Sequence, residues 1–188
     1  MTRKQLGVAI VLAIVAAACG NGRVIFNVDA YSFLKGSVKD TIPYTVPPLT
    51  SNVTVSNAAQ KVTLVPGLGS SAIDTVKVSG ALTVLNQTGG PGTLRFQVYL
   101  ASDSAGTYTA GRDSLFTAAS VNILAGASMN SLPLNVANLS PSGNALFAKS
   151  AVWIRVAATV SNSGATVMQG KAVLASLNLR VVVQDKIF

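Results

Sequence analysis

Hydrophobic and polar residues alternate with a period of two along most of this chain. Val24, Phe26, Val28 and Ala30 alternate with Ile25, Asn27, Asp29 and Tyr31, which predicts a strand. Val53 and Val55, then Val62, Leu64 and Val65, predict two short strands around Asn57-Ala58-Ala59. Val76, Val78, Leu82 and Val84 alternate with Lys77, Ser79, Ala81 and Thr83. Leu94, Phe96, Val98 and Leu100 alternate with Arg95, Gln97 and Tyr99. Thr88-Gly89-Gly90-Pro91-Gly92 separates these last two runs as a turn, so each reads as a strand with one buried face. Val121–Leu124 and Met129–Val136 predict further strands around Ala125-Gly126, and Val152, Ile154, Val156, Ala158 and Val160 another. Asn162-Ser163-Gly164 then turns the chain into a final run, Thr166–Gln184, whose phase changes near Ala172–Leu174 and predicts a β-bulge. Pro43, Pro47 and Pro48 mark an extended, edge-like stretch, because proline cannot donate to a sheet ladder. Gly67-Leu68-Gly69-Ser70-Ser71 and Asp103–Asp113 read as loops. Ser140-Pro141 before Asn144–Lys149 predicts one helical turn capped by serine. The sum is an all-β antiparallel sandwich of roughly eight to ten strands in a single domain, residues 24–188.

The first twenty residues follow a different pattern. Met1-Thr2-Arg3-Lys4 is a short positive region, and Leu6–Ala18 carries no charged side chain. As a helix those residues reach about 20 Å, short of the roughly 30 Å hydrocarbon core of a bilayer. Residues 1–18 are therefore expected to be a signal-peptide helix. Ala16-Ala17-Ala18-Cys19 resembles the lipobox of bacterial lipoproteins, with Ala16 where leucine is commoner. The resemblance implies cleavage between Ala18 and Cys19, a thioether-linked diacylglycerol on Cys19 and acylation of the new terminus. Two or three acyl chains anchor a protein stably where one is marginal. Gly20 follows, where an Asp would resemble an inner-membrane retention signal, so the resemblance points to the outer membrane. Residues 19–23 would be a lipid-anchored tether of at most about 14 Å before the first strand, placing the sandwich close to the membrane.

Removing Arg3 and Lys4 with the leader leaves twelve basic residues against six aspartates, a charge of about +6. The basic residues are spread singly, without runs or clustered aromatics. Solvated sheet faces are expected, with weak attraction to anionic lipid heads and no nucleic-acid partner. Cys19 is the only cysteine, so no intrachain disulfide can form.

A second resemblance covers residues 73–136. Val78-Ser79-Gly80-Ala81-Leu82-Thr83-Val84-Leu85-Asn86-Gln87, Phe96–Asp103, Asp113-Ser114-Leu115 and Leu124–Ser128 resemble the CARDB type of immunoglobulin-like module, named for cell-adhesion-related domains in bacteria. Similar strand-turn spacing occurs in late-embryogenesis-abundant-type domains with an Asn after a strand. The resemblance implies an immunoglobulin-like sandwich and bears on fold more than on function. Fold alone does not carry function.

Candidate chemistry is sparse. The chain has no histidine and no glutamate, so imidazole-based triads and ordinary zinc sites have no residues to build them. The aspartates are Asp29, Asp40, Asp74, Asp103, Asp113 and Asp185, with nothing in the sequence pairing two of them as a glycosidase would need. Gly67-x-Gly69 lacks the Gly-Lys-Ser/Thr of a phosphate loop. No catalysis, cofactor or metal is expected. Asp103, Ser104 and Asp113 offer oxygen ligands for Ca²⁺, but Arg112 lies among them and the dense Asp/Asn/Gly spacing of a calcium loop is absent. A solvated loop in which Asp103 caps a turn is the expectation. Trp153 shares a strand face with Arg155. A central-strand Trp usually fills a core, and that role is expected here; the alternative is a contact point, since Trp and Arg are enriched at interaction hot spots. The Asn52, Asn86 and Asn138 triplets read as chance matches. Phe188, with Lys186 and Gln184 before it, lacks the outward apolar alternation of a barrel strand. The expected function is an outer-membrane-anchored, non-catalytic, membrane-proximal binding or assembly module; the alternative is a structural envelope protein that self-associates through sheet edges.

Overall fold

The computed structural model describes residues 23–64, 72–109, 113–117, 120–136 and 138–184. The signal peptide, Ala18, Cys19, the 67–71 loop, Lys186 and Phe188 lie outside the described residues.

Among the described residues, eleven strands form two antiparallel sheets, as the alternation predicts. They are β1 (Arg23–Asp29), β2 (Thr41–Val46), β3 (Thr50–Ser56), β4 (Gln60–Thr63), β5 (Ala72–Thr88), β6 (Gly92–Ala101), β7 (Asp113–Thr117), β8 (Val121–Ile123), β9 (Ser128–Val136), β10 (Ala151–Asn162) and β11 (Met168–Gln184). One sheet runs β1-β11-β5-β9, with β2 also on β11; the other runs β3-β10-β6-β7, with β4 also on β10 and β8 on β6.

Pairs that share one partner edge act as one column. Residues 178–184 of β11 pair with β1 and residues 168–173 with β2, and β10 is flanked in the same way by β3 and β4. The eleven strands thus make eight columns in chain order: β1/β2, β3/β4, β5, β6, β7/β8, β9, β10, β11. First pairs with last, second with seventh, third with sixth and fourth with fifth. That nesting is one long antiparallel ribbon rolled up, the order of a jelly roll. An immunoglobulin-type sandwich instead sets its first strand beside its second, in the order A-B-E-D on one sheet with C-F-G on the other.

The inner faces are the alternating residues named above. Val76, Val78, Leu82 and Val84 of β5 meet Leu94, Phe96, Val98 and Leu100 of β6 and Val152, Ile154, Val156, Ala158 and Val160 of β10 in one buried cluster. On β11 the buried set is Met168, Ala172 and Leu174, then Leu177, Leu179, Val181 and Val183. The change of phase is absorbed by a bulge between Leu174 and Ser176, just beyond the expected position. Gly80 stands opposite it, where a Cβ would meet the Ser176 carbonyl at 2.6 Å.

Among the described residues, two short helices close the edges. Ser140 caps α2 (Pro141–Leu146), its Oγ accepting from the Gly143 N–H at 3.1 Å, as the Ser-Pro pair predicts. The other, α1 (Ala30–Gly36), is a departure from the sequence reading, which continued the first strand through Tyr31. Asp29 ends that strand by accepting the Ser32 N–H at 3.3 Å. Ala30 and Leu34, one helical turn apart, are then buried together. No helix among the described residues is long and apolar enough to cross a membrane.

At the end where β5 turns into β6 and β10 into β11, two buried asparagines tie the loops. Asn162 Nδ2 donates to the carbonyls of Val46, Pro47 and Thr166 (3.2, 3.0 and 2.7 Å), and its Oδ1 accepts the Gly164 N–H at 2.9 Å. Asn86 Nδ2 reaches the Gly126 carbonyl at 2.8 Å and those of Gly89 and Leu124 at 3.3 and 3.4 Å. The Tyr44 hydroxyl donates to Asn86 Oδ1 at 3.4 Å, and burial pushes its pKa up to about 12. An asparagine can satisfy backbone donors and acceptors at once, so it serves where several buried loops converge.

Candidate functional site

The outer face of the β6/β10 sheet is covered where β6 ends. After Ala101 the chain rises over the sheet as a 3-10 turn, Ala105–Tyr108. Asp103 caps it, Oδ1 accepting the Gly106 N–H at 2.7 Å, the turn-capping role expected from the sequence. Asp113, the other half of the calcium alternative, opens β7 opposite Leu100.

This turn lies over Arg155. On β10, Val152, Ile154 and Val156 take the inward positions, so Trp153 and Arg155 point away from the core. Arg155 is nevertheless only 5 % exposed. Its Nε and Nη2 both donate to the Thr107 carbonyl, at 3.1 and 2.8 Å. The guanidinium lies between two tyrosine rings, 4.5 Å from the centroid of Tyr99 and 4.4 Å from that of Tyr108. Tyr99 is its cross-strand partner on β6. Charge-assisted donation and two ring faces together compensate the desolvation of a cation that needs partners when buried.

The result is a preformed surface. Thr107 is buried beneath it, while Tyr108 is 52 % exposed. Trp153, two residues from Arg155 on the same face, is half-buried and flanked in register by Lys61 on β4 and Ala101 on β6. The core role expected for Trp153 does not hold, because its neighbours Val152 and Ile154 own the inner phase of the strand. Arg155 is a fixed residue rather than a free contact point; the aromatic it holds, Tyr108, is what reaches solvent. The sequence reading missed Tyr108 and Tyr99. Tyr99 sat in the outward phase of β6, which marks it as a same-face neighbour of any outward residue on the adjacent strand.

Among the described residues, no three Asp, Glu, His or Cys side chains come together as metal ligands would. The arrangement offers aromatic stacking area at Tyr108 and Trp153, a tyrosine hydroxyl and the Lys61 ammonium.

No family model matches the chain, and no curated protein matches it. Among solved structures, infectious bursal disease virus (Gx strain) superposes with a TM-score of 0.47 and 16 % identity, over 88 % of this chain and 33 % of that one. The VP2 subviral particle of the same virus gives 0.45 and 15 %, over 86 % and 32 %. The chain spans about a third of those viral chains. TmCBM61 in complex with β-1,4-galactotriose gives 0.29 and 9 %, over 82 % and 80 %. Likenesses at these scores have no bearing on what this chain binds.

Proposed function

We propose that the protein is an outer-membrane-anchored lipoprotein whose sandwich is a non-catalytic, membrane-proximal binding or assembly module, with Tyr108 and Trp153 on the outer face of the β6/β10 sheet as its contact surface. The observation that carries this reading is the Arg155 clamp. A buried cation is spent on holding a 3-10 turn against the sheet with one tyrosine turned to solvent. Rigid aromatic side chains beside an arginine are the usual anchors of protein interfaces, because little conformational entropy remains to be lost on binding. The anchor is supported by the lipobox resemblance at Ala16–Cys19. The first strand begins at Arg23, four residues after Cys19 and one residue earlier than the alternation predicts. That spacing holds the module within about 14 Å of an acylated Cys19.

Crosslinking in native membranes, followed by affinity capture and mass spectrometry, tests the contact surface. A single dominant envelope partner, lost in Tyr108→Ala and Trp153→Ala, is expected. A partner unaffected by both changes would refute the assignment of the face. Cys19→Ala tests the anchor separately, and is expected to move the protein from the membrane to the soluble fraction. Hydrolysis of an envelope polymer abolished by a single Asp→Asn change would overturn the non-catalytic reading.

A further inference from the structure

The geometry points to β1 as a docking edge for a second copy of this chain, the two β1 strands pairing antiparallel about a two-fold axis through Phe26. This goes beyond the contact face proposed above and rests on neither that face nor the lipid anchor.

A jelly roll has four edge columns, and an exposed edge invites pairing unless it is blocked. Three are blocked here, and so is the β2 half of the fourth. β2 carries Pro43, with Pro47 just beyond it, and β9 carries Pro133. In the β3/β4 column, Asn52 takes a left-handed φ of 59° and the register slips between Val160 and Asn162, while β4 is four residues long. In the β7/β8 column, β7 has a register break at Val98/Tyr99 and β8 is three residues long. β1 differs. All seven of its residues run in unbroken register with β11, without proline or bulge. Among the described residues, no other element hydrogen-bonds the backbone of Arg23–Val28. Val24 and Ile25, on opposite faces of the strand, are 43 % and 46 % exposed.

The sequence of β1, Arg-Val-Ile-Phe-Asn-Val-Asp, is complementary to itself when reversed. About Phe26, Arg23 stands opposite Asp29 of the second copy, Val24 opposite Val28, Ile25 opposite Asn27, and Phe26 opposite Phe26. The faces agree as well. Phe26 and Val28 pack towards the core with Val24 in the same phase, while Arg23, Ile25, Asn27 and Asp29 share the outer phase. Each pair therefore joins residues of one face, and the two sheets continue into one across an isologous interface. Arg23 can reach the second copy by exchanging partners: its side chain is 66 % exposed, and it is ion-paired with Asp74 at 3.7 Å within its own chain. The two ends of the strand pair bring opposite charges together, and the middle brings β-branched and aromatic residues, the combinations that stabilise cross-strand pairs.

Disulfide trapping tests the pairing and its register. Phe26→Cys is oxidised in the expressed chain, in whichever cell fraction it occupies, with the unsubstituted protein as background for Cys19. Directly opposed strand positions have Cα separations within disulfide reach, whereas two residues along they do not. Phe26→Cys is expected to crosslink with itself. Val24→Cys and Val28→Cys are each expected to fail alone and to crosslink when co-expressed. Arg23→Asp is expected to weaken self-association roughly tenfold, since both end pairs become like-charged, and Asp29→Arg in the same chain to restore it. Self-crosslinking at Val24 or Val28 but not Phe26 would overturn the register and with it the two-fold. Crosslinks only to another protein, or a monomer by sedimentation at all concentrations, would overturn the proposal. Tyr108→Ala and Trp153→Ala leave the trapping unchanged if the edge and the contact face are separate surfaces.

Discussion

Replacing Arg155 by alanine isolates the device that shapes the proposed contact face. The change removes two donors from the Thr107 carbonyl and the cation from between Tyr99 and Tyr108. A charge-assisted hydrogen bond contributes about 1.5–3 kcal/mol. The stacking contributes roughly 2 kcal/mol on buried Tyr99 and roughly 1 kcal/mol on exposed Tyr108. Against this gain of about 5 kcal/mol stands the desolvation of the guanidinium, several kcal/mol for a buried ion, which alanine removes. The expected net loss is about 2–3 kcal/mol in global stability, read by chemical denaturation. Arg155→Lys keeps the charge but loses the planar fork and the flat stacking surface, and should lose about 1–2 kcal/mol. Hydrogen exchange should show where the loss falls. The amides of Thr107 and Thr109, bonded within the turn to Ser104 and Gly106, should exchange much faster in Arg155→Ala, while those of Leu94–Val98 change only with global stability. A loss under about 1 kcal/mol with Thr107 and Thr109 still protected would mean that the turn holds itself and that Arg155 is not its clamp.

Three further outcomes follow from the buried loop end of the sandwich and from the bulge on β11. Asn162→Ala strands three carbonyls and the Gly164 N–H and should cost about 2–4 kcal/mol in denaturant unfolding; Asn162→Asp at neutral pH should cost more, since a carboxylate faces those carbonyls. An Asp variant milder than the Ala one would refute the donor assignment. Tyr44 has its pKa raised to about 12 by burial, so the folded state holds a proton that the unfolded chain releases near pH 10. Its contribution to stability should be full below about pH 10 and disappear as pH rises towards 12, and Tyr44→Phe should flatten that part of the denaturation–pH curve; an unchanged curve would exclude Tyr44 as its source. Gly80→Ala places a Cβ 2.6 Å from the Ser176 carbonyl at the bulge and should lower stability by about 1–3 kcal/mol; a midpoint unchanged or raised would show that the bulge yields.

How far the sequence reveals this molecule depends on whether the signal is local. Val76–Val84 and Leu94–Leu100 are legible because a half-buried strand writes its burial into every second residue, and Ser140-Pro141 is legible because a cap needs only its own neighbours. The break in phase on β11 likewise reveals its bulge. The strand order is not legible, because nothing in the alternation of β11 says that β1, β2 and β5 are its partners. Asp29-Ala30-Tyr31 continues a period of two, and the competing i, i+4 pair Ala30/Leu34 wins only because the sheet edge offers a place to bury it. At the contact face, the outward phase of Trp153 and Arg155 is readable from Val152 and Ile154. The clamp is not, since Arg155 finds Thr107 and Tyr108 across 48 and 47 residues of chain, and a charged residue on an outward phase reads as solvated until a loop is known to lie over it.

The proposed anchor and the proposed β1 edge constrain each other. In an antiparallel β1 pair the two Arg23 residues sit at opposite ends of a seven-residue strand, about 20 Å apart. If each copy is also acylated at Cys19, with a tether of about 14 Å, both anchors enter one bilayer only when the strand pair lies nearly flat on it and the two-fold axis stands along the membrane normal. That axis crosses the joined sheet face to face. One sandwich face must then lie towards the lipid and the other away. The outer face of the β11/β5 sheet, where Arg180 stands directly opposite Lys77 and both are exposed, suits an anionic headgroup layer, which would relieve the repulsion between them. The Tyr108/Trp153 face then points away from the bilayer, open to a partner. In intact membrane vesicles displaying the protein outwards, a membrane-impermeant thiol reagent should therefore label Thr159→Cys, on the β10 side, faster than Lys77→Cys. Equal labelling would show that dimer and anchor do not act together in this way.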